Sequence, residues 1–257
     1  MKVGILAGGL GSRMGVETVA KPKPMVEVAG RPLLWHVMAY YSCFNHKDFV
    51  IALGYKAEVI KRYMVDFVSL NSNLTVNLKS GTVEPHGGLL HDWNVDLIDT
   101  GLDSTKSKRI KLLAPYLAQD GTFMLTWGDG LSNIDIHALL EFHRSHGKLA
   151  TLTAARPAAR FGHLEFEGNK VVEFNEKPQT SEGWVNGAFF VLEPGVIDYI
   201  QNEELDWEQE ALQNLAADGE LMAYKHEGFW QGIDTIRDIK LMNRLWDNGE
   251  APWKIWD

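Results

Sequence analysis

An α/β fold, built on a mixed but mostly parallel sheet flanked by helices, is what the sequence predicts, and three observations carry the prediction. Short apolar runs alternate with amphipathic stretches along the chain, the rhythm of strand-helix-strand units. The apolar run ending at Leu6 passes into Ala7-Gly8-Gly9-Leu10-Gly11-Ser12-Arg13, a strand followed by a loop reduced almost to backbone. The stretch from Gly162 to Phe174 instead alternates polar and apolar residues around Gly168-Asn169, a hairpin signal that departs from the parallel rhythm and makes the sheet mixed.

In chain order, strands are expected near Lys2–Leu6, Asp48–Leu53, Leu74–Leu78, Val95–Ile98, Thr122–Thr126, Leu149–Ala154 and Trp184–Leu192. Each is a short apolar run rich in β-branched or aromatic residues. Helices are expected near Pro32–Cys43, Lys56–Ser69, Ile134–His146 and Thr235–Trp246, where apolar residues recur at helical spacing. Pro32 suits a first helical position, whose N–H would have no partner in any case. Ser80–Trp93 is rich in Gly and His with little periodicity, so a long irregular loop is expected there, either an active-site cover or an interaction arm.

A length of 257 residues is compatible with one α/β domain spanning 1–257. The net charge of -9 argues against a nucleic-acid surface, which needs a clustered positive field. No apolar run approaches the roughly 18 residues of a membrane helix, so no membrane partner is expected. Cys43, the single cysteine, excludes an internal disulfide and suits a reducing cytoplasm; its apolar helical setting places it in the core. The histidines show no ligand spacing tied to a strand, and His143 and His146 read as helix surface. Most tryptophans read as packing residues, with Trp127 and Trp230 set apart because they adjoin candidate ligands.

The glycine loop is the main chemical signal. Gly8, Gly9 and Gly11 let an anion reach the backbone amides, and Arg13 adds a planar donor for phosphate oxygens. Lys23, within Lys21-Pro22-Lys23-Pro24-Met25, is a cation on a backbone stiffened by two prolines. The third glycine of the dinucleotide fingerprint is missing, and no Gly-Lys-Ser/Thr closes a P-loop. A glycine pair after a strand is also common in α/β proteins that bind no phosphate. Against the acidic background, Arg13, Lys23, Arg109 and Lys177 are the cations a phosphate site would draw on. Asp129, in Trp127-Gly128-Asp129-Gly130, follows an apolar strand and projects where open α/β sheets bind ligands, although Asp-Gly is also an ordinary turn. Asp234 precedes a helical stretch, where a metal ligand and an N-cap compete. Glu176-Lys177-Pro178 reads as a solvated loop or as a stiffened cation. Lys106-Ser107-Lys108-Arg109 reads as a solvated basic run before a helix.

Taken together, Leu6-Ala7-Gly8-Gly9-Leu10-Gly11-Ser12-Arg13, Lys21-Pro22-Lys23-Pro24-Met25, Gly128-Asp129-Gly130, Glu176-Lys177-Pro178, Asn186-Gly187 and Phe229-Trp230-Gln231-Gly232-Ile233-Asp234-Thr235 resemble the sugar-nucleotidyltransferases, in that family's order and over nearly the whole chain. The resemblance implies a Rossmann-like nucleotide-diphospho-sugar transferase fold and a reaction joining a sugar 1-phosphate to a nucleoside triphosphate. It also implies Mg2+ as cofactor and assembly into a homo-oligomer. Length and the closing Ala251-Pro252-Trp253-Lys254 are most similar to the cytidylyl branch, for which CTP and glucose 1-phosphate are the implied substrates and surface-polysaccharide synthesis the implied use.

Carried over residue by residue, the resemblance implies catalytic roles for Lys23, Arg13 and Asp129, with the metal held by Asp129 and Asp234. The nucleotide would meet Leu6, Ala7, Gly8, Gly9, Leu10, Gly11, Ser12, Arg13, Lys23, Ser104, Arg109 and Gly128. The sugar phosphate would meet Gly162, Glu176, Lys177 and Asn186. Two departures stand out: Lys106-Ser107-Lys108 occupies a place where the cytidylyl branch is glycine-rich, and Gly232-Ile233 replaces a Pro-Met pair. The alternatives are the same reaction with another base or sugar, a non-catalytic nucleotide-binding regulatory subunit, and a glycosyltransferase of related fold.

Overall fold

The structure, a computed structural model, describes residues 1–9, 11, 20–88, 91–157, 163–167, 170–175 and 183–256, with the backbone alone at 163–167 and 171–175. Seven strands form the main sheet: β1 (Val3–Leu6), β4 (Asp48–Leu53), β7 (Asn94–Asp99), β8 (Phe123–Trp127), β10 (Ala150–Ala155), β13 (Val185–Leu192) and β14 (Leu221–His226). Their order is β14-β10-β13-β8-β1-β4-β7. β1 pairs in parallel with both β4 and β8, β4 with β7, and β10 with β14. β13 runs antiparallel between β8 and β10. The sheet is therefore mixed and mostly parallel, as expected, but β13 makes it so; among the described residues the hairpin of β11 (His163–Glu167) and β12 (Lys170–Asn175) pairs only with itself.

Alternation along each strand sends side chains to opposite faces. Val3, Ile5, Phe49, Ile51, Met124 and Phe189 enter a core packed by α1 (Leu33–Cys43), α5 (Ile136–His146) and α7 (Ile236–Asp247), with Ile60 of α2 (Ala57–Val65). Leu6, Val50, Ala52, Phe123, Leu125 and Phe190 enter the other core, packed by α4 (Lys106–Leu117) and α6 (Ala211–Ala217). Both faces are covered, which is why β4 reads as one unbroken apolar run.

Several expectations need correction. Pro32 is the N-cap of α1 and pairs with Glu27 in the short strands β2 (Glu27–Val28) and β3 (Arg31–Pro32), one residue ahead of the helix. The helix expected over Lys56–Ser69 breaks at Asp66 into α2 and the short α3 (Phe67–Asn71). The strand expected at Leu74–Leu78 is β5 (Asn73–Asn77), which pairs with β6 (Thr82–His86) outside the main sheet, so part of the supposed irregular loop is a strand. Cys43 is exposed: it lies at the end of α1, where its thiol donates to the Ala39 carbonyl at 3.3 Å. His143 is buried on the inner face of α5, with Thr151 at 2.8 Å and Glu193 at 3.1 Å on its two ring nitrogens. The basic run from Lys106 lies inside α4, whose N-cap Thr105 accepts from the Lys108 N–H.

Candidate active site

The register of the central strands assembles the site. Leu6 lies opposite both Ala52 and Trp127, so the chain leaves β1, β4 and β8 at one level of the sheet. The Gly128 N–H donates to the Leu6 carbonyl at 3.1 Å, and a Cβ on Gly128 would lie 3.0 Å from the Pro24 ring, so the segment carrying Asp129 runs tightly between β1 and the Lys23 segment. Lys23 opens a 3-10 turn, Lys23–Met25, after an extended Pro22; the Met25 N–H donates to the Pro22 carbonyl at 2.8 Å, and Pro24 is buried. The two prolines stiffen this backbone as the sequence suggests.

Asp234 arrives from the opposite direction. β15 (Trp230–Gly232) pairs with β9 (Gly130–Ser132), and the Ile233 N–H donates to the Asp129 carbonyl at 2.9 Å. The N-cap of α7 is Thr235, locked in a capping box with Asp238, so the cap alternative for Asp234 is overturned.

Lys23 Nζ lies 2.6 Å from a carboxylate oxygen of Asp129 and 2.6 Å from one of Asp234. The lysine side chain is 11% exposed, against 31% and 35% for the aspartates. Burial disfavours the ammonium, but the two carboxylates more than offset this and hold its pKa above the ordinary value.

Two cavities meet at this triad. One, of about 410 Å³, is lined by Leu6, Ala7, Gly8, Gly9, Gly11, Pro24, Ser104, Lys106, Arg109 and Asp206, together with Lys23, Trp127, Asp129 and Asp234. The other, of about 250 Å³, shares those last four residues and adds Thr126, Gly130, Asn186, Gly187, Ala188, Phe189, Trp230 and Gly232. The glycine loop thus opens on one side of the triad and Asn186 on the other. Trp127 and Trp230 are wall residues, and Trp230 is held by its indole N–H donating to the Gly187 carbonyl at 2.8 Å.

Of the expected nucleotide contacts, Leu6, Ala7, Gly8, Gly9, Gly11, Lys23, Ser104 and Arg109 line the larger cavity, and Gly128 adjoins it. Leu10, Ser12, Arg13, Gly162, Glu176 and Lys177 lie outside the described residues. Arg109 is no solvated cation: it is 4% exposed and hydrogen-bonded to the protein on both terminal nitrogens. Sequence reasoning missed Lys106 and Asp206 as wall residues. Lys106 Nζ lies 2.8 Å from Glu208 and 3.6 Å from Asp206. Thr105 followed by Ile110, Leu113 and Leu117 was the available signal for α4; Asp206 carries none.

The donor set fits a magnesium ion. Two carboxylates converge on one cation position beside a cavity open to phosphates, and magnesium takes one or two carboxylates and completes its octahedron with phosphate oxygens and water. No group of three or more His, Cys, Asp or Glu residues suited to a metal occurs among the described residues, so those residues alone offer no full cage.

The nucleotidyl transferase family model matches residues 2–246, and the chain belongs to that family. Among its relatives, glucose-1-phosphate cytidylyltransferase of Salmonella typhi is 48% identical over 257 residues, covering 100% of both chains. The glucose-1-phosphate cytidylyltransferase of Salmonella typhimurium is also 48% identical, again over 100% of each. A crystal structure of HddC from Yersinia pseudotuberculosis superimposes with a TM-score of 0.69 at 21% identity, covering 95% of this chain and 99% of that one, which shows the shared fold.

Proposed function

We propose that this enzyme transfers the cytidylyl group of CTP to α-D-glucose 1-phosphate, giving CDP-glucose and pyrophosphate. Full-length identity of 48% to cytidylyltransferases supports the substrates, and the observation that carries the site is the Lys23-Asp129-Asp234 triad between two cavities. The triphosphate lies along the glycine loop and the sugar phosphate in the smaller cavity beside Asn186. A phosphate oxygen of the sugar attacks the α-phosphorus in line; the new P–O bond forms as the bond to the β-phosphate bridge breaks, and pyrophosphate carries away the electron pair. Little covalent work falls to the protein, so positioning and charge neutralisation dominate.

Lys23 is placed to meet negative charge developing on the transferring group, and Asp129 and Asp234 to hold a divalent cation. Bound Mg2+ would neutralise phosphate charge and fix the oxygens it touches. Arg13 is assigned to the triphosphate, and Glu176, Lys177, Gly162 and Asn186 to the sugar phosphate.

The reading extends to one domain over 1–257, a cytoplasmic location and a homo-oligomer. No helix among the described residues is long and apolar enough to cross a membrane. The exposed side chains of Leu70, Val76, Leu78 and Val83, on or just before a hairpin that pairs with no other strand among the described residues, support contact with a second copy. Phosphorus NMR of the enzyme with CTP, glucose 1-phosphate and Mg2+ should show CDP-glucose and pyrophosphate in equal amounts. Consumption of CTP without a sugar nucleotide would overturn the assignment.

A further inference from the structure

The wall of the smaller cavity contains glycines that the fold does not require. Gly130, Gly187 and Gly232 all line it. Gly187 is a packing glycine, since a Cβ there would lie 2.9 Å from the Thr153 carbonyl oxygen and 3.3 Å from the Ala155 side chain. The other two are different. A Cβ on Gly130 would meet nothing within 4 Å, and one on Gly232 would meet only the rim of the Trp230 ring, 3.5 Å from Cη2, an ordinary van der Waals distance. Neither has a positive φ, so no turn demands glycine at either place. Glycine inside a strand forfeits backbone entropy and side-chain packing, and it marks places where a ligand or another backbone comes close.

The two glycines stand directly opposite each other in the pairing of β15 with β9. The Ile233 N–H donates to the Asp129 carbonyl at 2.9 Å, and the Asn133 N–H to the Phe229 carbonyl at 3.1 Å. By the alternation of an antiparallel ladder, the Gly130–Gly232 rung between them is a non-hydrogen-bonded one. On such a rung facing side chains stand closest, and here both are absent. The stretch of wall from Trp230 to Asp234 is therefore bare backbone at its middle, and that backbone is held: Gln231 Nε2 donates to the Gly232 carbonyl at 2.8 Å. Gly232 also belongs to the Gly232-Ile233 pair that departs from Pro-Met.

We propose that Gly232 is a specificity-determining residue on the sugar side: the space over the Gly130–Gly232 rung receives a ring substituent larger than a hydroxyl, so the enzyme accepts hexose 1-phosphates carrying one acetamido or O-methyl group as well as glucose 1-phosphate. The proposal rests on the reading of the smaller cavity as the sugar phosphate site.

The test measures pyrophosphate release from CTP and Mg2+ with glucose 1-phosphate, N-acetylglucosamine 1-phosphate and a set of mono-O-methyl glucose 1-phosphates. For wild type, at least one substituted sugar phosphate should have a kcat/KM within about tenfold of that for glucose 1-phosphate. Gly232→Ala puts a methyl group into the space; it should lower the ratio of that kcat/KM to the glucose 1-phosphate value by roughly 10- to 200-fold, the scale for one methylene in a pocket. The Kd for CTP, measured by calorimetry, should stay within about threefold of wild type, a split that general damage to the fold would not produce. Gly232→Pro loses no ladder bond, because the N–H on this rung points away from β9, and it should lower the ratio at least as far. If Gly232→Pro fails to fold, Gly232→Ala carries the comparison. Wild type that discriminates more than about tenfold against every substituted sugar phosphate, or a ratio that falls less than about tenfold in Gly232→Ala, would overturn the role of Gly232 alone. Wild type that releases no pyrophosphate with any of these sugar phosphates would overturn the reading of the cavity as well.

Discussion

Replacing Lys23 with methionine should slow the reaction while tightening the binding of a free divalent cation, because one ammonium now occupies the point on which two carboxylates converge. Lys23 Nζ lies 2.6 Å from both Asp129 and Asp234. Unit charges about 4 Å apart at an effective dielectric of about 20 interact by about 4 kcal/mol. With the carboxylates a third exposed, water screens much of this, leaving about 1.5–3 kcal/mol, or roughly 10- to 100-fold in cation affinity. The apolar methionine stem keeps the volume and removes the competing charge. In the reaction the same loss works the other way, since a positioned donor is worth about 100-fold or more in kcat. Titration of the nucleotide-free protein with Mn2+, followed by electron paramagnetic resonance, measures the first effect, and pyrophosphate release measures the second. Unchanged Mn2+ affinity together with turnover within about threefold of wild type would refute the reasoning.

Asp129→Asn and Asp234→Asn should each abolish most turnover with melting temperatures close to wild type, and the double variant should be little worse than the worse single one, since on the proposed reading both carboxylates serve one ion; additive losses in pyrophosphate release would contradict this. Asn186→Ala, in the smaller cavity, should raise the KM for glucose 1-phosphate far more than the Kd for CTP, and equal losses in both would remove it from the sugar side. His36 is buried, with Nε2 at 2.8 Å from the Val28 carbonyl, and desolvation lowers its pKa to about 4. The unfolded chain then takes up this proton near pH 6.5 and the folded one only near 4, so stability falls as pH drops through that window. The loss attributable to His36 is about 2 kcal/mol at pH 5, and urea midpoints of His36→Phe should fall less between pH 7 and pH 5 than those of wild type.

The residues that line the two cavities were more legible than those that hold them in place. β4 was read at its observed bounds because burial on both faces leaves an unbroken apolar run, and Lys23 between two prolines announced a fixed cation. Asp129 and Asp234 could be singled out, but their meeting on Lys23 depends on Gly128 bonding to Leu6 and on β9 pairing with β15, contacts between distant parts of the chain. Arg109 looked solvated because Lys106 and Lys108 flank it, yet the helical period turns it inward while its neighbours remain partly exposed. His143 misled in the same way: among charged and polar neighbours it read as surface, whereas Thr151 and Glu193 supply the partners that permit burial. Cys43 erred in the opposite direction, since an apolar helix can end with its last side chain outside.

The most direct test of the central claim is pyrophosphate release measured for CTP, UTP, GTP, ATP and dTTP, each against glucose 1-phosphate, mannose 1-phosphate and galactose 1-phosphate with Mg2+. CTP with glucose 1-phosphate should give the highest kcat/KM, and release should require both substrates and the metal. A different preferred pair, or release from the triphosphate alone, would contradict it.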